Sequence, residues 1–199
     1  MRLLIKRVFD FIFSLTGILF FLPFGIIIAA FIIIESKGGV FYLQTRVGKN
    51  NQDFRLIKFR TMRTGSEKKG LLTVGKDNRI TGTGRFLRKF KLDEMPQLLN
   101  ILIGTMSIVG PRPEVRKYVD MYNENQKKVL LAKPGLTDYA SLEYFNENEL
   151  LGKSENPEKT YIEEVMPAKL LLNEKYLSDI SLGHDLKIIF KTLGKVFRQ

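Results

Sequence analysis

Between Phe11 and Ile34 the chain carries 24 consecutive residues without a charge. As a helix this run would extend about 36 Å at 1.5 Å per residue, enough to cross the hydrocarbon core of a bilayer. It predicts a membrane segment. A secretory signal fits less well, because the run exceeds the usual apolar region of about 7–15 residues and no small-residue cleavage site follows it. Leu22-Pro23-Phe24-Gly25 lies near the middle, and a proline there removes a backbone donor and clashes with the preceding turn, which predicts a bend. Arg2, Lys6 and Arg7 precede the run and Lys37, Arg46 and Lys49 follow it, three against three. If both flanks obey the positive-inside preference, both ends stay cytoplasmic and the segment enters and leaves one leaflet as a hairpin bent at Pro23. A kinked spanning helix is the competing arrangement. Asp10, at the mouth of the run, is expected to pair with a neighbouring Lys or Arg rather than face lipid.

The remainder supports one core, so the division expected is an anchor over residues 1–36 and a single domain over 37–199, without internal repeats or low-complexity tracts. A net charge of +11, from 32 basic and 21 acidic residues, implies an anionic partner: nucleic acid, a membrane surface or a phosphorylated substrate. With no cysteine and one histidine, a disulfide framework, a Cys-ligated metal and a zinc cluster are all excluded. Any metal must be held by oxygen.

Val40 to Thr45 and Phe54 to Thr61 are rich in aromatic and β-branched residues around Gly48-Lys49-Asn50-Asn51, which predicts a β-hairpin with Lys58 and Arg60 on one strand face. From Lys37 to Lys91 there are fifteen basic residues against three acids, Asp53, Glu67 and Asp77, the composition of a phosphate-facing or lipid-facing surface. Lys68, Lys69 and Lys76 read as an ordinary solvated loop within an irregular excursion from Thr64 to Thr83. Arg85 to Lys91 returns to helical spacing, with Phe86, Phe90 and Leu87 on an apolar side and Arg85, Arg88 and Lys89 at its edge, the pattern of a helix in a headgroup layer and equally of one packed on a partner helix or a soluble core. Glu143, Glu147, Glu149, Glu155 and Glu158 fall in an acidic, loop-rich stretch from Glu114 to Glu163. His184 to Arg198 alternates an apolar row (Leu186, Ile189, Phe190, Leu193, Val196, Phe197) with Lys187, Lys191, Lys195 and Arg198, a basic amphipathic helix that can pack on the core and whose lysines suit an anionic leaflet. His184 reads as a helix-start residue.

The stretch Lys91 to Pro113 has the layout of a reactive site on a stiff frame. Asp93 and Glu94 come first, an apolar helical segment from Gln97 to Ile103 follows, and Gly110-Pro111-Arg112-Pro113 closes it. Pro96 is tolerated only near a first turn, so the helix is expected to begin close to Asp93. Its dipole would then favour the ionised carboxylates and an approaching phosphate. Arg112 is held between two prolines, in a backbone that suits bidentate phosphate recognition. An acidic N-terminal turn for helix stability is the plainer explanation of the pair taken alone.

The string RFLRKFKLDEMPQLLNILIGTMSIVGPRP, Arg85 to Pro113, resembles the core motif of the bacterial sugar transferases, the monotopic phosphoglycosyl transferases that start glycan assembly on a polyprenyl phosphate. KRVFDFI (Lys6 to Ile12), RVG (Arg46 to Gly48), KFRTM (Lys58 to Met62) and KPGLT (Lys133 to Thr137) follow the family's order, so the resemblance covers nearly the whole chain. It implies a mainly helical α+β fold with a re-entrant membrane helix broken at its proline, a small β-hairpin and interfacial amphipathic helices, on the cytoplasmic face of the bacterial inner membrane. It implies Asp93 as nucleophile, Glu94, and secondarily Asp93, as holder of Mg²⁺, and Arg88 as a functional residue beside them. Lys58, Arg60, Arg112, Pro111 and Pro113 fall on the substrate side. Partners implied are a UDP-sugar, such as an N-acetylated amino sugar, undecaprenyl phosphate and membrane lipids; a homodimer is allowed and nucleic acid is not expected. After Pro134-Gly135-Leu136-Thr137 many members continue with a Gly, then a Gln and a Gly-Arg, whereas this chain has Asp138-Tyr139-Ala140-Ser141. Tyr139, Glu143 and Tyr144 are therefore candidate sugar-side residues in a region that departs from the family.

The expected reaction is transfer of a sugar-1-phosphate to undecaprenyl phosphate, with release of UMP. Two non-enzymatic readings compete. A nucleic-acid-binding membrane protein would explain the basic stretch, but the chain lacks a groove-reading motif. A membrane adaptor would explain the anchor and the basic helices but not the Asp-Glu pair.

Overall fold

The computed structural model of the chain describes residues 2–66, 72, 73, 75 and 77–198; the loop lysines 68, 69 and 76 lie outside them. One long helix, α1 (Arg2–Glu35), precedes a small α+β body. Helical backbone continues on both sides of Pro23. Only 6% of the most apolar stretch of α1 is buried. Leu4, Phe11, Phe20, Phe24, Phe31 and Ile34 are among many large side chains left exposed on it.

The other face of α1 is fastened to the body at both ends. Arg7 donates to the carbonyls of Ile101 and Leu102 at 2.6 and 2.8 Å, and Lys6 pairs with Asp185. At the far end Glu35 accepts from the backbone N–H groups of Gly82 and Thr83. Asp10 is fully enclosed, but its partner is not a basic side chain. Its Oδ1 accepts from the backbone N–H of Ile108 at 3.0 Å. A buried carboxylate can be stabilised by a peptide donor as well as by a counter-ion, and local spacing cannot distinguish the two.

The expected hairpin is present as β1 (Phe41–Val47) and β2 (Asp53–Phe59), antiparallel in register from Phe41↔Phe59 to Val47↔Asp53. Asn50 and Asn51 supply the left-handed backbone of the turn, at φ 56° and 61°. Next come α2 (Gly82–Lys89) and α3 (Gln97–Ile103). Two short strands, β3 (Ser107–Val109) and β4 (Gly135–Thr137), then pair in parallel. This second sheet is absent from the expected architecture. It depends on a backbone approach so close that a Cβ on Gly135 would lie 2.1 Å from the Gly110 nitrogen. Only glycine fits there.

The stretch expected to be loop-rich, 114–163, folds into short helices α4 (Arg116–Val119), α5 (Tyr139–Glu143), α6 (Glu147–Gly152) and α7 (Pro157–Thr160). Helix α7 runs through a π-helical segment, Tyr161–Val165, into α8 (Met166–Leu177), and α9 (Leu182–Phe197) ends the chain. His184 does belong to the first turn of α9, where its N–H donates to the Ser181 hydroxyl.

Two main apolar clusters and one small one hold the body together. Val47, Tyr118, Leu151 and Tyr161 belong to the first, Leu56, Ile101, Met106 and Ile188 to the second, and Ile32, Phe59 and Leu87 to the third. Burial at 0% exposure turns Leu87 inward, while Phe86 remains 56% exposed beside Phe90. Asn100 locks α3 to β2: its amide nitrogen donates to the Arg55 carbonyl at 2.8 Å and its oxygen accepts from the Ile57 N–H at 3.0 Å. That clamp fixes the strand carrying Lys58 over the turn carrying the acidic pair.

Candidate active site

Asp93 and Glu94 do not sit on α3. They lie on a one-turn 3₁₀ helix, Leu92–Glu94, which starts from Lys91 in left-handed conformation (φ 56°), and α3 begins only at Gln97 with Pro96 as its cap. Proline there interrupts the hydrogen bonding that would join the two turns, so the acidic pair is separated from the helix it precedes. Both side chains are buried and line a cavity of about 1080 Å³ with Lys58, Arg88, Lys91 and Arg112.

The two carboxylates have different environments. Arg112 donates to both oxygens of Glu94, Nη1 to Oε2 at 3.3 Å and Nη2 to Oε1, and Lys58 Nζ lies 3.4 Å from Oε1. Burial opposes ionisation of Glu94, but Arg112, Lys58 and Lys91 outweigh it and hold the carboxyl well below its usual range. The same pair raises Arg112, through the Glu94 carboxylate and against the penalty of burial. Asp93 has no hydrogen bond or ion pair among the described residues. Burial first, and the Glu94 charge second, push it above the normal carboxylate range despite Lys58, Arg88 and Lys91. The fold thus works against the ionised form of Asp93 that a helix dipole would favour. Desolvation exceeds the effect of a helix start that lies four residues further on.

Arg112 is presented as expected, but tertiary contacts hold it as firmly as its prolines do. Its N–H donates to Asp138 Oδ2 at 3.1 Å, the Gly110 N–H donates to the Thr137 carbonyl at 3.1 Å, and the Gly135 N–H donates to the Pro111 carbonyl at 3.0 Å. Asp138 also accepts from the Ser141 N–H at 2.6 Å to cap α5. This positioning residue was overlooked in the sequence, although it directly follows KPGLT. Arg88 faces inward, its Nε donating to Thr61 Oγ1 at 2.9 Å and Nη1 to Thr73 Oγ1 at 3.2 Å. Burial lowers Arg88, Lys58 and Lys91, with the acidic pair offsetting part of the effect. Lys91, another residue missed in the sequence, places its Nζ 4.9 Å from the centre of the Phe145 ring.

Other candidates fall elsewhere. Arg60 lines the cavity, and its two terminal nitrogens donate to the carbonyls of Lys37 and Ser36 at 2.6 and 2.7 Å, so it finishes α1 while its buried Nε has no partner among the described residues. Pro113 lines the cavity and accepts from Arg46, whereas Pro111 lines a smaller neighbouring pocket. Tyr139 is not on the cavity wall and packs into the second apolar cluster. At 100° per residue, a helix that turns Tyr139 into the core turns Ser141 and Tyr144 the other way, and these two do line the cavity. Glu143 is exposed. A polar wall not anticipated from sequence joins them: Tyr161 donates its hydroxyl to Glu114, which pairs with Arg46 at 2.9 Å.

Residues 1–199 match the family described as bacterial sugar transferase. The chain is 35% identical over 196 residues to the UDP-N-acetylgalactosamine-undecaprenyl-phosphate N-acetylgalactosaminephosphotransferase of Aeromonas hydrophila, covering 96% of this chain and 43% of that protein. It is 35% identical over 202 residues to the exopolysaccharide production protein PSS of Rhizobium leguminosarum bv. phaseoli, covering 97% of this chain and 95% of that one. To the UDP-glucose:undecaprenyl-phosphate glucose-1-phosphate transferase of Escherichia coli it is 32% identical over 198 residues, 98% of this chain and 40% of the other. The chain therefore spans less than half the length of two of these three relatives.

Proposed function

This chain belongs to the bacterial sugar transferase family, and from that premise we propose that it transfers a sugar-1-phosphate from a UDP-sugar to undecaprenyl phosphate and so begins a bacterial glycan. The observation that carries the reading is the division of labour in the acidic pair: Glu94 is clamped by Arg112 and Lys58, while Asp93 has no hydrogen bond or ion pair among the described residues and lines the cavity beside it. Neighbouring carboxylates whose environments push them apart are assigned different roles by that difference.

In the proposed first step an Asp93 carboxylate oxygen attacks the sugar-bearing phosphorus. A new O–P bond forms, and the bond from that phosphorus to the bridging oxygen breaks, so UMP leaves with that oxygen. In the second step a phosphate oxygen of the lipid attacks the same phosphorus, the bond to Asp93 breaks, and the carboxylate is regenerated. Burial of Asp93 leaves it poorly solvated and reactive once ionised. Lys58, Arg88 and Lys91 favour that ionisation and offset the charge of the entering diphosphate. Arg112 holds Glu94 in place.

The donor set fits Mg²⁺. This ion is commonly bound by one or two carboxylates, keeps several waters and takes its remaining ligands from substrate phosphates, and both carboxylates here face the cavity. Glu94, with Asp93 as the second ligand, would hold it, and the ion would supply charge neutralisation on the diphosphate.

Docking of both ends of α1 on one body supports an anchor that leaves both its ends on the cytoplasmic side of the inner membrane, with its exposed face in lipid. A membrane adaptor has no use for two buried acids in a basic cavity, whose desolvation is costly. The reading is tested by incubating the purified chain with a panel of UDP-sugars, Mg²⁺ and undecaprenyl phosphate. One or more sugars should yield UMP and a lipid-linked sugar; no UMP from any donor would overturn it.

A further inference from the structure

The cavity that holds the acidic pair is also walled by apolar side chains which the donor chemistry leaves unused: Phe20 and Phe21 of α1, Leu98 of α3, and Leu193, Val196 and Phe197 of α9. Lys187, Lys191 and Lys195 of α9 are not on this wall, so α9 keeps its charges off the cavity. The one hydroxyl that α9 brings to it, on Thr192, is already taken up, donating to the Ile188 carbonyl at 2.8 Å and lying 2.7 Å from the Thr137 hydroxyl. Against these apolar side chains a sugar or a nucleotide would lose its hydrogen bonds to water. Hydrocarbon would lose nothing. These side chains also reach the surface: Phe20 is 75% and Phe197 83% exposed, and Phe20 belongs to the broad apolar face of α1.

The wall is tied to the reacting groups. Phe145 lies under two cations, Lys91 Nζ at 4.9 Å and Lys195 Nζ at 5.8 Å from its ring centre. Lys195 also donates to the Leu142 carbonyl. Lys91 is two residues from Asp93, so α9 is held in register with the acidic turn.

We infer that α9 and the Phe20–Phe21 portion of α1 form the entry for the prenyl chain of the lipid acceptor. Its first isoprene units lie along Leu193, Val196 and Phe197, and its phosphate reaches Asp93. The inference rests on the transferase reading above and adds the subsite by which the acceptor enters from the bilayer.

The test separates donor from acceptor in steady-state kinetics of the detergent-purified chain. Leu193→Gln and Phe197→Gln change exposed positions and leave the buried side of α9 intact. They should raise KM for undecaprenyl phosphate about tenfold while KM for the UDP-sugar stays within about twofold. Phe190→Gln, equally exposed on α9 but off the cavity, should leave both unchanged. A photoreactive polyprenyl phosphate carrying its probe on the first isoprene units should label α9 at Val196 or Phe197. Parallel losses for donor and acceptor, an unchanged acceptor KM, an equal effect from Phe190→Gln, or labelling confined to other elements would each overturn the inference while leaving the transferase intact. Absence of UMP release by the unmodified chain would instead remove the transferase reading, and this inference with it.

Discussion

Arg112 spans both oxygens of Glu94, while Asp93, the adjacent residue, has no partner among the described residues. Removing charge at the two positions should therefore have opposite effects on stability.

Asp93→Asn should stabilise the fold at neutral pH by about 1 kcal/mol, or about 2–4 °C in Tm, because it removes a buried charge without an ion pair. The folded carboxyl is raised, so ionising it costs the native state most at high pH. The advantage of the variant should shrink as pH falls through the raised value, and disappear below the ordinary aspartate range near about 3.9, where both states are protonated. Thermal melts from pH 8 to pH 3.5 check this; a lower Tm for Asp93→Asn at pH 7.5 would contradict it.

Glu94→Gln should do the reverse, costing about 3–5 kcal/mol by leaving Arg112 and Lys58 facing a neutral amide. The folded carboxyl is depressed, so its contribution is complete above the ordinary glutamate range and is lost as pH falls toward the depressed value. The penalty measured for Glu94→Gln should be greatest at neutral pH and narrow in acid.

With a donor labelled in its sugar phosphate, UMP should appear before any acceptor is added, and the label should remain on protein at Asp93. Asp93→Asn should abolish the adduct, since an amide is a poor nucleophile. Mass analysis after rapid quench reads it. UMP release strictly dependent on acceptor, with lipid product and no adduct, would indicate direct transfer.

Arg112→Lys should retain one contact to Glu94 and lose the bidentate one, lowering kcat/KM by about 10²-fold, and Arg112→Ala should cost more. Asp138→Asn should act in the same direction but more weakly, because it perturbs Arg112 only through its backbone. Comparable kinetics for Arg112→Lys and the unmodified chain would remove Arg112 from the site.

The chain has no cysteine, so single cysteines at Leu4 and Gly39 can report the disposition of the two ends of α1. Gly39 has room for a side chain, whereas the neighbouring Gly38 would drive one into Arg60. Both positions should resist an impermeant thiol reagent in intact cells and react after permeabilisation. Labelling of one end alone would mean a spanning helix.

Local chemistry was enough to find much of this protein. An uncharged run of 24 residues must be a membrane segment or an exposed liability. Two strand-like runs around Gly48-Lys49-Asn50-Asn51 pair with each other because nothing lies between them. Asp93, Glu94, Arg88 and Arg112 were legible in one motif and Lys58 in a second, KFRTM, and all five do meet in one cavity.

What only the tertiary structure decided depends on contacts between residues far apart in the chain. Spacing cannot say that Arg112 chooses Glu94 over Asp93, since that is set by the approach of Gly110 to Gly135 and by Asp138 holding the Arg112 backbone. It cannot say that Arg60 finishes α1, that Asp10 accepts from Ile108, or that Tyr144 rather than Tyr139 faces the cavity. Sequence carries the periodicity of each element and the chemistry of each side chain. The direction in which a polar group is satisfied, and hence whether a carboxylate is held as an ion or left desolvated, emerges only when elements 20 to 100 or so residues apart exclude water together.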